Sequence, residues 1–231
     1  MSAPYVVFLP GMLCDERLFA AQTASLTTPH HVADVTQADS IATIAEQVLA
    51  GAPDRFAAVG LSMGGIVALE LWRQAPERLS LLLLIDTTPE PGPADQRPNK
   101  LEAIAAAAAN GQRTEAGAVM RPVYLANARQ QDDALLETML DMAEALGPEA
   151  FTRQAQALRT REDSRDTLPT ISIPTAVICG AEDRICTPDV HQLMATQIPD
   201  ATLHVLPDCG HMASIECPDE VTAIMHALLA R

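Results

Sequence analysis

Two apolar patterns alternate along this chain. Short, nearly continuous runs predict strands: "YVVFL" (5–9), "FAAVGL" (56–61), "LSLLLLID" (79–86), "TAVICG" (175–180) and "TLHVL" (202–206), with "HHVADV" (30–35) a weaker sixth. The run at 79–86 is so uniformly apolar that it predicts a strand buried on both faces. Between the runs, apolar residues recur at helical spacing. Leu18, Phe19 and Gln22 share one face behind Asp15 as N-cap. Ile41, Ile44, Ala45 and Val48 form a stripe behind Ser40, with Thr43 where a capping box would hold Glu. "MGGIVALELWRQA" (63–75) predicts a helix stopped near Pro76. "PDVHQLMATQI" and "PDEVTAIMHALLAR" predict two more, the last with Pro218 in its first turn.

Strands alternating with helices imply right-handed βαβ units and a parallel sheet. The alternation breaks after residue 86. "TTPEPGPADQRPN" opens a helical stretch that lasts to about residue 163. Asn99 and Glu102 form a capping-box pattern before "LEAIAAAAAN", and Gly111 ends that helix. Leu135, Met139, Met142 and Leu146 line one face of the next, and Gly147-Pro148 separates it from Phe151, Ala155 and Leu158. The expected organisation is an α/β core of residues 1–88 and 166–231, split by a helical lid at 89–165.

Composition narrows the function. With 231 residues, 48% of them hydrophobic, the chain can bury one sizeable core. No run of about 18 apolar residues predicts a membrane span, and "MSAPYVVFLPGM" lacks the basic head of a signal peptide. Five scattered cysteines (Cys14, Cys179, Cys186, Cys209, Cys217) show no metal-ligand spacing and imply reduced thiols in a cytoplasmic protein without a metal. A net charge of −15 argues against nucleic acid and anionic membranes as partners. One local exception is the run Arg153, Arg159, Arg161, Arg165. It reads either as a solvated helix end paired with Glu162, Asp163 and Asp166, or as a region attracting an anionic substrate group.

The chemistry centres on Gly60-Leu-Ser62-Met-Gly64. A serine on a sharp strand-to-helix turn projects clear of the sheet, and glycines at 60 and 64 avoid crowding it. Serine needs a base, an orienting acid and oxyanion donors to act as a nucleophile. Of six histidines only His211 sits in a loop just past a final strand, the edge where parallel sheets place their sites. Asp183, in the loop after "TAVICG", is the favoured orienting acid; Asp86 and Glu182 are its rivals, and Asp208 belongs to a turn.

The segments "GLSMGG", "GAEDRICTP" and "GHMASIECP", in the order Ser, Asp, His, resemble the α/β-hydrolase fold superfamily along the whole chain. The resemblance implies a mostly parallel sheet of about six strands, lacking the family's first two, with an inserted lid. "LPGMLCDERLF" is similar to the family's oxyanion loop, with Pro10-Gly11 where His-Gly is usual. By that match the oxyanion donors are the backbone N–H groups of Met12, with Leu13 as the alternative, and of Met63. It implies a cofactor-free serine hydrolase, first of all a carboxylesterase for small-to-medium acyl esters. C–C hydrolases, enol-lactonases, thioesterases, perhydrolases and haloperoxidases share the same elements, and a non-catalytic binding protein is a further reading. Aromatics make up only 3% of the chain, so the pocket is expected to be aliphatic, built around Gly11, Met12, Leu13, Met63, Met139 and Met142. The lid methionines have a second reading, packing the lid onto the core.

Overall fold

The computed structural model describes residues 4–95 and 97–231, so residues 1–3 of the expected core and Gln96 of the expected insertion lie outside the described residues. Six parallel strands form one sheet: β1 (Tyr5–Leu9), β2 (His30–Val32), β3 (Phe56–Leu61), β4 (Leu79–Ile85), β5 (Thr175–Gly180) and β6 (Thr202–Leu206). Their order is β2-β1-β3-β4-β5-β6. The strands match the apolar runs closely, except that β2 is shorter than "HHVADV". Asp34 Oδ1 accepts from both the backbone N–H and the hydroxyl of Thr36, which turns the chain out of the ladder.

Side chains alternate across the sheet and feed two helical layers. Val7, Leu9, Ala58, Leu82 and Leu84 pack against α2 (Ile41–Gly51), α3 (Met63–Gln74) and α7 (Pro188–Gln197). Val6, Phe8, Val59, Leu83 and Ile85 face the other way. There they meet Leu18 and Phe19 of the turn before α1 (Ala20–Ser25), and the C-terminal helix described below. In β4 every residue but Ser80 is buried, as its unbroken apolar run requires. Ser40 and Asn99 cap their helices by accepting from the N–H of Thr43 and Glu102.

Between β4 and β5 the chain forms α4 (Lys100–Ala109), α5 (Arg113–Tyr124) and α6 (Asp133–Thr160). α5 is a helix that the apolar spacing alone did not mark. Gly147-Pro148 separates two helical segments of α6, as expected; they meet at a sharp kink where Gly147 has φ 74°. After β6 come the short α8 (Ala213–Glu216) and the C-terminal α9 (Pro218–Leu229). Among the described residues no helix is long and apolar enough to cross a membrane.

Candidate active site

Ser62 joins β3 to α3 with φ 54° and ψ −115°, a strained conformation for a residue with a side chain. Its N–H donates to Ile85 O at 2.9 Å, which pins the turn to the neighbouring strand. The turn is possible only because two neighbours lack side chains. A Cβ on Gly64 would sit 1.8 Å from Leu9 O, and one on Gly60 2.4 Å from Gly64 O. The serine hydroxyl is thereby held at the carboxyl edge of the sheet.

Two other loops at that edge deliver its partners. His211 Nε2 lies 3.0 Å from Ser62 Oγ, and His211 Nδ1 lies 2.8 Å from Asp183 Oδ2. Asp183 Oδ1 accepts from the N–H groups of Ile185 and Cys186 at 2.8 and 2.9 Å, which aims the other oxygen at the imidazole. An ionised Asp183 places the proton on Nδ1 and leaves Nε2 free to accept from the serine.

Neither rival acid touches His211. Glu182 turns outward to Asn127 N and Arg184. Asp86 instead bridges the two loops that carry the histidine and its acid. Its Oδ1 accepts from Gly180 N at 3.0 Å and its Oδ2 from Ala213 N at 2.8 Å. Glu216 has a similar role that the sequence did not announce, beyond being an acid in the apolar stretch "MASIEC". Its carboxylate accepts from the N–H groups of Gly210, Met212 and Ala126, closing the histidine loop and tying it to the chain after α5. The His211 N–H itself donates to Tyr124 O at 2.7 Å.

These carboxylates set the charge of the imidazole. Burial alone pushes His211 down, but Asp183 first, then Asp86 and Glu216, more than offset it, and the group ends above the usual histidine value. Asp183 ends below the usual carboxylate value; burial opposes this, and the imidazole with two backbone N–H groups overcomes it. Burial, then Asp183, push Asp86 well above its ordinary range.

Beside Ser62 lies a cavity of about 450 Å³. Gly11, Met12, Leu13 and Met139 line it as expected; Tyr124 adds an aromatic ring whose centroid lies 5.7 Å from that of His211. Met63 and Met142 do not line it. Met63 packs under the sheet with α2 and α3, and Met142 packs inside the insertion; on α6 it points ~60° away from Met139. Among the described residues the N–H groups of Met12 and Met63 have no hydrogen-bond partner. The alternative donor, Leu13 N–H, is taken by Gln154 Oε1 at 2.9 Å. The arginine run splits. Arg165 pairs with Asp163, Arg153 donates to Thr36 O, and Glu162 pairs with Arg73 instead. Arg159 and Arg161 line the cavity.

Known proteins share this architecture. The model of the alpha/beta hydrolase family matches residues 6–224. A pimeloyl-[acyl-carrier protein] methyl ester esterase of Aromatoleum aromaticum is 26% identical, over 97% of this chain and 98% of its own. A 2-hydroxy-6-oxononadienedioate/2-hydroxy-6-oxononatrienedioate hydrolase of a Pseudomonas species is 27% identical over 75% of this chain, which spans 62% of that relative's length. Among solved structures, a thermophilic esterase from Thermogutta terrifontis superposes with a TM-score of 0.83 at 25% identity, covering 98% of this chain and 89% of that one. With its strained serine turn, its parallel sheet and a family model spanning almost its whole length, this chain belongs to the alpha/beta hydrolase family.

Proposed function

We propose that this hydrolase cleaves carboxylic esters of small-to-medium acyl groups through an acyl-enzyme on Ser62. The observation that carries the reading is the unbroken chain Ser62 Oγ, His211, Asp183, at 3.0 and 2.8 Å, on the wall of the cavity. His211 takes the serine proton as Oγ attacks the acyl carbon, returns it to the departing alcohol, and then activates water for deacylation. The unpartnered N–H groups of Met12 and Met63 receive the oxyanion, a contribution of ~3–4 kcal/mol per donor. Asp183 fixes the imidazole tautomer.

Helices α4–α6 serve as a lid, closing the cavity over the serine with Met139 and Met120. The esterase names of the Aromatoleum and Thermogutta proteins favour ester chemistry. Five free cysteines fit a reducing, cytoplasmic compartment.

The test is turnover of p-nitrophenyl esters of graded acyl length by the wild type and by Ser62→Ala. Turnover that vanishes in Ser62→Ala is expected, and its chain-length optimum sizes the cavity. The Pseudomonas relative favours a second reading, the same serine and base applied to a C–C bond. Labelling of Ser62 by a fluorophosphonate without ester turnover would support it.

A further inference from the structure

The cavity beside Ser62 has a cationic end that acyl transfer does not use. Arg159, in the last turn of α6, and Arg161, just after it, both line it. Neither is an ordinary surface arginine. Arg161 is partly buried, and its Nε and Nη1 donate at 2.8 Å to two backbone carbonyls, Glu90 O and Leu158 O. Its Nη2 has no partner among the described residues, and no carboxylate there forms an ion pair with it. Glu90 is near, but its side chain is exposed. Arg159 Nη1 lies 3.4 Å from Glu102 Oε2, and Arg159 Nε is buried with no partner.

Of the two guanidinium groups at the edge of this largely apolar cavity, Arg159 thus has an ion-pair partner, Glu102, and Arg161 has none among the described residues. A guanidinium drawn out of water without a counter-ion is costly. Glu90 and Glu102 line this end of the cavity too, but among the described residues only the Arg159–Glu102 pair comes within ion-pair distance there. The unpaired guanidinium of Arg161, with Nη2 free, is therefore positioned for an anion that arrives with the ligand. A carboxylate fits better than a phosphate. Its planar fork matches a guanidinium edge, and its single charge adds less repulsion beside Glu90 and Glu102 than a phosphate would.

We propose that this end of the cavity is a carboxylate subsite, so that the preferred substrate is a monoester of a dicarboxylic acid whose free carboxylate docks on Arg161 with Arg159 beside it. The proposal rests on the esterase reading of Ser62 and names its substrate class. The overall charge of −15 disfavours anions in general, which leaves the arginine pair to select this one.

The test compares kcat/KM for monomethyl esters of succinate through suberate with methyl alkanoates of matched length, by pH-stat, in the full chain. The wild type is expected to prefer the acidic ester at one or more lengths. Arg161→Met is expected to reduce that preference by ~10-fold or more, mainly through KM, with Arg161→Lys intermediate, the scale of a charge-assisted hydrogen-bonded pair. Preference for the neutral ester at every length, or an unchanged ratio in a folded Arg161→Met, would overturn the subsite. Should Arg161→Met not fold, Arg159→Met and Arg161→Lys carry the same comparison. A second arm needs no turnover: calorimetric binding of monomethyl adipate and of dimethyl adipate to Ser62→Ala. Tighter binding of the monoester supports the subsite even where neither ester is hydrolysed, an outcome that sinks the esterase reading alone. Equal binding, or tighter binding of the diester, overturns the subsite.

Discussion

Asp183→Asn exchanges one oxygen for an amide at nearly constant shape, and the structure dictates which oxygen survives. Asp183 Oδ1 accepts from two backbone N–H groups, those of Ile185 and Cys186. An asparagine must keep its carbonyl oxygen there, because the flipped amide would aim two donors at two donors. The amide nitrogen then faces His211 Nδ1, 2.8 Å from where Oδ2 now sits. Nδ1 becomes an acceptor, the ring proton moves to Nε2, and the imidazole can no longer accept from Ser62 Oγ. Restoring the useful tautomer requires the flip, which forfeits two backbone hydrogen bonds at about 1–3 kcal/mol each. The sum, about 2–6 kcal/mol, corresponds to a loss in kcat of roughly 30-fold to somewhat above 10⁴-fold. The upper end matches the fall of about 10⁴ for the same substitution in the serine-protease template. The assay is kcat on a p-nitrophenyl ester, with circular dichroism and thermal melting to show an intact fold. A folded variant retaining more than a tenth of wild-type kcat would refute the tautomer argument.

Other expectations use the same distances. Asp86→Asn must present an amide N–H₂ to Gly180 N–H or Ala213 N–H, so one of its two ties is lost; stability is expected to fall by about 1–3 kcal/mol, read by denaturant melts, and kcat less than in Asp183→Asn. The reverse order of kcat losses would make Asp86 the orienting acid. Gly64→Ala puts a methyl 1.8 Å from Leu9 O and is expected to displace the serine turn and abolish activity; a folded, fully active variant would contradict the geometry. Neutral His211 is the working form, so kcat/KM is expected to rise with pH through an apparent pKa above the ordinary 6.5, and a limb at or below that value would count against the carboxylate cluster. The stability linked to His211 runs the opposite way: it is full below the ordinary value and is lost as pH rises through the raised one.

The strands were legible because buried parallel strands need unbroken apolar runs, and the serine turn because its glycines are sterically enforced. Asp183 and His211 could be placed because each follows a strand at the sheet's carboxyl edge. What stayed hidden was long-range polar pairing. Gln154 reaches Leu13 N across 141 residues, and Glu216 reaches Ala126 N across 90. Such bonds leave no periodic trace, since a single polar residue in a helix or loop is read as solvated until its partner is known. Gly117 and Pro122 masked α5, because both weaken helix propensity inside it. Met142 was misplaced because a stripe of apolar residues on a helix is wider than the strip that faces a cavity.

Glu216 also joins the chain leaving α5 to the loop that holds His211, and Tyr124 O accepts from the His211 N–H. These bonds act like a hasp across one margin of the insertion. A displacement of residues 124–126 would drag the imidazole with it, so the lid proposed for α4–α6 could not lift on this side without disarming the serine. The opposite margin, the proline-rich approach at 87–99, carries no part of the histidine loop. Thr87 at its root does touch the reactive centre, its hydroxyl donating to Ser62 O at 2.7 Å, so both margins are latched to the catalytic residues, one through the base and one through the serine turn.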